Sequence, residues 1–180
     1  MSVILKTGRL LLRPPRGADI SRLVPLLKDY EVAKNLSRAP HPYTEDDACA
    51  FITWAAYAWR TRQDLAFAIL REQDDVYIGT CGVHPARNWE FGYWFGRAYW
   101  GRGYATEAAA RLVCFAFEEL GAERLNAVWH ADNGASGRVL AKLGCEPNGD
   151  DVLPCLSRGC KVICHKVVLT RAAFERRSEK

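Results

Sequence analysis

Apolar residues recur along this chain with two periods, and the switches between them set out the elements before any motif is consulted. Residues 9–13 (Arg-Leu-Leu-Leu-Arg) read as the first strand, which ends at Pro14 and Pro15 because proline removes a ladder donor and restricts the residue before it. Asp19 opens a stretch of helical period through Ile20, Leu23, Val24 and Leu27. Thr44, followed by Glu45, Asp46 and Asp47, marks a second helix start with acids in its first turn. Residues 65–70, 76–83 and 90–95 are short runs rich in β-branched and aromatic side chains, separated by polar turns, and predict an antiparallel meander.

Residues 104–120 give the clearest helix. Ala105, Ala108, Ala109, Leu112, Val113, Ala116 and Leu120 mark one face, Glu107 and Arg111 are spaced to pair across a turn, and Gly121 stops it. Residues 125–129 follow as a strand and 134–143 as a short helix ended by Gly144. Residues 151–156 and 161–169 are two last strands around the turn Ser157-Arg158-Gly159. No repeat or low-complexity linker interrupts this order, so one domain over residues 1–180 is expected, an α/β (α+β) sandwich around one central sheet.

Composition narrows the setting. With 49% hydrophobic residues the chain can bury one substantial core, and residues 1–6 lack the apolar run of a secretory signal. No stretch has the length and uninterrupted apolar character of a membrane span, so a cytoplasmic protein without membrane contact is expected. Seven cysteines (Cys49, Cys81, Cys114, Cys145, Cys155, Cys160, Cys164) form an odd set, several inside apolar runs, which fits a reducing compartment. Cys155, Cys160 and Cys164 with His165 lack Cys-x-x-Cys spacing and fall on a strand that scatters side chains to both faces, so no metal is expected. The net charge of +4 is spread among interspersed acids, which argues against nucleic acid and suits a small anionic ligand. The tail 171–180, with Glu175, Arg176, Arg177 and Glu179, reads as a solvated helix end.

The candidate chemistry starts at Trp100-Gly101-Arg102-Gly103-Tyr104-Ala105-Thr106, a glycine-rich turn feeding the long helix. Unpaired amides at such a helix start, aided by the helix dipole, suit a diphosphate. Two other readings compete: glycines that merely turn the chain, and a dinucleotide fingerprint with Glu123 as its distal acid. The fingerprint lacks its third glycine, replaced by Thr106, and an early βαβ unit.

Residues 90–108 as a whole resemble the coenzyme A segment of the GNAT superfamily of N-acetyltransferases, in its RimJ/RimL-like branch. The resemblance extends to residues 7–14, 42–48 and 133–144. It implies a GNAT-like central mixed, mostly antiparallel sheet flanked by helices on both faces, with acetyl-CoA as co-substrate. Of the superfamily turn Arg/Gln-x-x-Gly-x-Gly/Ala, Gly103 and Ala105 match and Trp100 departs, at small cost because backbone amides build the cradle. By resemblance, the turn from Gly101 through Arg102, Gly103, Tyr104, Ala105 and Thr106 holds the pyrophosphate. Trp94, Phe95 and Gly96 offer strand-edge groups to the pantetheine, Asn133 contacts coenzyme A, and Ser136 faces the thioester sulfur. Many members carry a tyrosine acid where Leu140 stands here, so Ser136 is the best remaining donor to the departing thiolate.

Ser136 shares the inward face of its helix with Val139, Leu140 and Leu143; a serine bonding back to a carbonyl one turn earlier, or a second cap behind Asn133, is the plainer reading. Glu90 shares a strand face with Gly92 and Trp94 and ranks first as base, ahead of His130 and His84, which are placed at strand ends near one side of the sheet. A solvated strand-end acid is the competing reading for Glu90. Residues 37–43, with Arg38, His41 and Tyr43, are the expected acceptor loop, and the turn at 157–159 its far wall. Trp54 and Tyr57, at helical spacing, read first as core. The implied reaction is direct attack of an amine, a protein N-terminus or a small molecule, on acetyl-CoA by a monomer or homodimer. A non-catalytic acyl-CoA sensor of the same fold is the alternative.

Overall fold

Eight strands form one sheet in the computed structural model, which describes residues 3–178. In chain order they are β1 (Leu5–Lys6), β2 (Leu10–Arg13), β3 (Leu65–Arg71), β4 (Val76–His84), β5 (Glu90–Phe95), β6 (Arg124–His130), β7 (Glu146–Cys155) and β8 (Cys160–Thr170). They lie in the order β1-β2-β3-β4-β5-β6-β8-β7, and every neighbouring pair is antiparallel except β5 and β6. The helices are α1 (Ile20–Lys28), α2 (Tyr30–Ala33), α3 (Glu45–Thr61), α4 (Tyr104–Cys114), α5 (Gly134–Leu143) and α6 (Arg171–Ser178).

Alternation along the strands divides the interior in two. Phe67, Ile69, Cys81, Phe91 and Phe95 face α4, whose Ala108, Leu112 and Val113 complete the larger cluster. Ala68, Leu70 and Tyr77 point the other way and meet Leu23 and Leu27 of α1, Val32 of α2 and Ala48 of α3. The sheet is thus covered on both faces. Each fully buried leucine, such as Leu12, Leu23 or Leu112, contributes about 1.5–3 kcal/mol.

Four local readings change. A two-residue strand, β1, precedes the run at Arg9; it is too short to show a period and exists by pairing Leu5 with Leu12. The first helical stretch is α1 as expected, but a further short helix follows it, because Asp29 leaves the helical region (ψ 112°) and its side chain accepts from the Glu31 amide to cap α2. β7 starts at Glu146, with a register shift between Pro147 and Asp150. Glu107 does not pair with Arg111: it lies over the β1–β2 turn and takes Thr7 and Arg9 instead, while Arg111 reaches Glu119. Residues 115–119 continue α4 as a π turn before Gly121 (φ 73°) ends it. Glu179 and Lys180 of the expected solvated tail lie outside the described residues.

Candidate active site

The turn between β5 and α4 keeps its donors open. Gly101 and Gly103 have φ of 71° and 79°, a region that favours glycine, and Gly103 is the N-cap of α4 without any side-chain cap bond. The first amide to find a backbone acceptor is that of Glu107, on Gly103 at 3.1 Å. Among the described residues the amides of Gly101 to Thr106 make no hydrogen bond, and Gly101, Arg102 and Gly103 are exposed. Six donors at a helix start, where the dipole adds about 0.3–1 kcal/mol per charge, fit a diphosphate.

The β1–β2 turn clamps this turn from behind. Arg9 donates from Nε to Glu107 (2.7 Å) and from Nη1 to the Arg102 carbonyl (3.0 Å), and its guanidinium lies 4.6 Å from the Tyr104 ring centroid. Thr7 Oγ1 donates to Glu107 at 2.6 Å. Burial pushes the Glu107 carboxyl up, but the bonds from Thr7 and Arg9 outweigh it and hold the group below the usual carboxylate range. A depressed folded value means that this stabilisation is complete above the unfolded value near 4.3 and lost as pH falls through the lower folded one. Glu107→Gln is therefore expected to lose about 1–3 kcal/mol at pH 7 and to converge on the parent protein in acid, as urea melts at each pH will read. The indole of Trp100 donates to the Phe95 carbonyl at 2.8 Å, and the Gly96 amide donates to Ile78 at 3.0 Å. Two of the edge groups expected at 94–96 therefore have protein partners.

β5 and β6 run parallel but share one register pair, Glu90 with Asn126, and part beyond it toward Phe95 and His130. On the α4 side, α5 covers the gap. Asn133 caps α5 by accepting from the Ser136 amide at 3.3 Å, and a Cβ on Gly137 would meet Trp129 Cζ2 at 2.8 Å, so indole packs directly on the helix backbone. Ser136 Oγ makes no bond back to a carbonyl one turn earlier; it lies 3.1 Å from the Tyr93 hydroxyl, which also donates to the Ser136 carbonyl at 3.3 Å. Burial pushes Tyr93 up to about 12, so its phenol keeps its proton across neutral pH.

The opposite face carries Glu90, Gly92 and Trp94 of β5, with nothing within 4 Å of a Cβ placed on Gly92. Here α2 and the segment after it are stapled to the β7–β8 turn. Arg158 grips Asp132 with two bonds (2.7 and 3.1 Å) and donates to the Lys34 carbonyl at 2.8 Å, Ser157 donates to Ala33 at 2.9 Å, and the Leu156 amide donates to Ser37 at 3.1 Å. The Arg158 guanidinium holds the Asp132 carboxyl below its ordinary range. His130 joins the same strap, its Nδ1 lying 3.1 Å from the Lys34 carbonyl and its Nε2 3.5 Å from Ser37 Oγ. Burial lowers the His130 pKa, which keeps the ring neutral at pH 7.

The structure separates residues that the sequence grouped. His84 and His130 share a face but not an end: β4 is antiparallel to β5 and β6 is parallel to it, so His84 sits beside Glu90 and His130 at the open end of the gap. Trp54 and Tyr57 are not core but 38% and 51% exposed, because α3 turns that side to solvent. Of the acceptor-loop residues, Arg38 is exposed, His41 packs edge-on to Tyr30 (5.1 Å), and Tyr43 is buried in the smaller cluster, where desolvation raises its phenol to about 12. Sequence reasoning passed over Tyr93, Thr7, Arg9 and the Arg158–Asp132 pair, since each acts through a partner at least 26 positions away. Among the described residues no cluster of three metal-ligating side chains converges, and no helix is long and apolar enough to cross a membrane.

Comparison with known proteins gives consistent findings. Residues 9–146 match the family model described as an acetyltransferase (GNAT) domain. The chain is 30% identical over 153 residues to the uncharacterized N-acetyltransferase YoaA of Bacillus subtilis (strain 168), covering 83% of this chain and 86% of that protein. Mycobacterium smegmatis RimJ in complex with CoA-disulfide superposes with a TM-score of 0.83 at 20% identity, over 99% of this chain and 93% of RimJ. The ribosomal L7/L12 alpha-N-protein acetyltransferase RimL in complex with coenzyme A gives 0.81 at 15% identity, over 95% and 99%.

Proposed function

Because the chain belongs to the GNAT acetyltransferase family, and is thereby an N-acetyltransferase, we propose that it moves an acetyl group from acetyl-CoA to a primary amine by direct attack. The observation that carries this reading is the set of open amides from Gly101 to Thr106 beside the gap between β5 and β6. When bound there, acetyl-CoA supplies an activated acyl carbon with a thiol leaving group, a class with pKa near 8.5. Arg102 to Thr106 hold its diphosphate, Trp94 to Gly96 line its pantetheine arm, and Asn133 adds a contact at the start of α5. Residues 1–180 act as one such domain, without a metal, in the cytoplasm, as a monomer or homodimer.

The two faces of the gap divide the work. On the α5 side Ser136, held by Tyr93, gives a proton or hydrogen bond to the departing sulfur. On the other side Glu90 takes the proton of the acceptor amine, and the neutral His130 ring orients the strap rather than serving as principal base. Arg38 and His41 meet the acceptor at the rim, and Tyr43 supports their loop from the core. An α-amine is favoured over a polyamine, because a slightly basic protein is not preorganised for a polycation, and because RimL, which shares the fold, is named as an alpha-N-protein acetyltransferase.

Ser136→Ala is expected to slow acetyl transfer by about tenfold while leaving acetyl-CoA affinity unchanged, since the thiolate is already a fair leaving group; equal turnover in stopped-flow thiol release would remove the serine from the mechanism. The function itself is tested by calorimetry with acetyl-CoA, followed by a thiol-release screen against short peptides and small amines. Heat with release supports the enzyme, and heat without release from any amine supports the non-catalytic acyl-CoA module. No heat overturns both.

A further inference from the structure

A row of polar side chains crosses one face of the sheet where β5 and β6 begin to part. Leu65 pairs with Val83, so Asp64, one position earlier, falls beside His84; His84 pairs with Glu90, and Glu90 with Asn126. Opposed side chains in such a row have Cβ atoms about 4.5–5.5 Å apart. Asp64 is only 3% exposed, and its carboxylate meets His84 Nδ1 in a contact that becomes an ion pair only when the ring is protonated; neither carboxylate oxygen nor Nδ1 makes an aligned hydrogen bond. A buried acid so sparsely supported is costly to keep, and His84 is the single basic side chain in contact with it among the described residues.

The exposed side of this pair faces the candidate site. The His84 side chain is 19% exposed, its Nε2 makes no hydrogen bond among the described residues, and Glu90 makes neither a hydrogen bond nor an ion pair there. The imidazole lies along the sheet, since a Cβ on Gly82 would meet His84 Cε1 at 3.3 Å. Gly82 is the cross-strand partner of Gly92, above which the face is open. Two opposed glycines thus leave a strip bordered by Glu90 and His84 at one end and by Trp94 and Thr80 at the other.

We propose that His84 and Asp64 are positioning residues that form a proton relay behind Glu90, an inference that rests on the acetyl-transfer reading above. The acceptor ammonium gives one proton to the Glu90 carboxylate, which passes it through a bridging water to its cross-strand partner His84 at Nε2, and the resulting imidazolium is stabilised by Asp64. The freed amine lone pair forms the nitrogen–carbon bond at the thioester carbonyl. The carbon–sulfur bond breaks with its electrons going to sulfur, and the second amine proton reaches that sulfur by way of Ser136, which takes it up as it gives its own hydroxyl proton to the thiolate. His84 then releases its proton to water, so one proton ends on the thiol and one in solvent, with no change of oxidation state.

For Nε2 to accept, the neutral ring must carry its proton on Nδ1, toward Asp64. Nitrogen-15 spectra of the ligand-free protein are expected to show the Nδ1–H tautomer of His84, shifted toward Nε2–H in Asp64→Asn. An Nε2–H ring in the parent protein, or an imidazolium throughout the active pH range, would overturn the relay. In thiol-release assays with acetyl-CoA and short peptides bearing free α-amines, His84→Ala is expected to lose about tenfold to a hundredfold in kcat with KM for acetyl-CoA retained. Added imidazole should restore part of that loss, and His84→Ala should add nothing in a Glu90→Gln background. His84→Gln, checked for a parental melting curve, should show the same loss without rescue. Parental kcat in His84→Ala, or no response to imidazole, overturns the relay alone, whereas absence of thiol release by the parent protein overturns the acetyl-transfer reading.

Discussion

Exchange of Glu90 for glutamine is expected to cut turnover of a lysine-type amine by about 10²- to 10⁴-fold at pH 7, with KM for acetyl-CoA unchanged. The magnitude follows from the acceptor. A lysine amine of pKa near 10.4 is neutral about once in a few thousand molecules at pH 7, whereas an α-amine near 7.7–8 is neutral roughly one time in ten. The loss should therefore shrink for an α-amine peptide and fade for both acceptors as pH rises. Glu90 is placed for this: it is half-buried at the narrow end of the gap, next to the open strip at Gly92, and it has no competing partner among the described residues. Thiol release measured against pH with one peptide of each kind decides it, and a parental rate with the lysine-type amine at pH 7 removes Glu90 from proton transfer.

The largest effect on stability is expected from Asp19→Ala, at about 3–5 kcal/mol. Asp19 and Arg13 have side chains 5% and 11% exposed and share two bonds of 2.7 and 2.9 Å, and Asp19 also accepts from the Arg16 amide at 2.8 Å. Removing the acid leaves a largely buried guanidinium at the end of β2 with no hydrogen-bonded carboxylate and only the weaker pull of Asp75. Asp74→Ala, which breaks a more exposed pair with Arg71, serves as the comparison and should cost about 0–1 kcal/mol. Urea titrations should show a lower midpoint at constant m for Asp19→Ala, and equal losses for the two variants would mean that the buried pair is worth no more than a surface one. The consequence reaches the site, because Asp19 precedes α1 and Leu26 of α1 packs on Gly96, where a Cβ would meet Leu26 Cδ2 at 2.6 Å. A loosened α1 would release the strand end that leads into the Gly101–Thr106 turn.

Much of this protein was legible in one dimension because the responsible forces are local. A period of two or 3.6 reports which side chains share a face, so the runs at 65–70, 76–83, 90–95 and 104–120 were found close to their observed limits. Gly103 ahead of Tyr104 and Asn133 ahead of Ser136 carry their helix starts in the residues themselves, and both turned out to cap the helices expected. The glycine turn ahead of α4 was readable for the same reason: its open amides depend on backbone and on two glycines with positive φ, not on distant side chains. Trp100, the departure from the superfamily turn, proved to serve the turn through a bond five residues back, to Phe95.

What the chain's order could not state was which ends and faces meet. Glu107 was assigned a helical neighbour and instead holds Thr7 and Arg9, 100 and 98 positions away. His84 and His130, both expected at strand ends near one side of the sheet, do share a face, but one parallel strand pair in an otherwise antiparallel sheet sets them at opposite ends of β5. Tyr93 on Ser136, the Arg158 strap over the gap and the alignment of Asp64, His84 and Glu90 likewise follow from strand order and register. Local sequence fixes dihedral preference and amphipathic period, whereas the pairing of distant strands is settled by the burial of the whole core. The elements and the glycine turn with its open amides were therefore written in the sequence, and the arrangement of acids and bases across the gap came only with the tertiary structure.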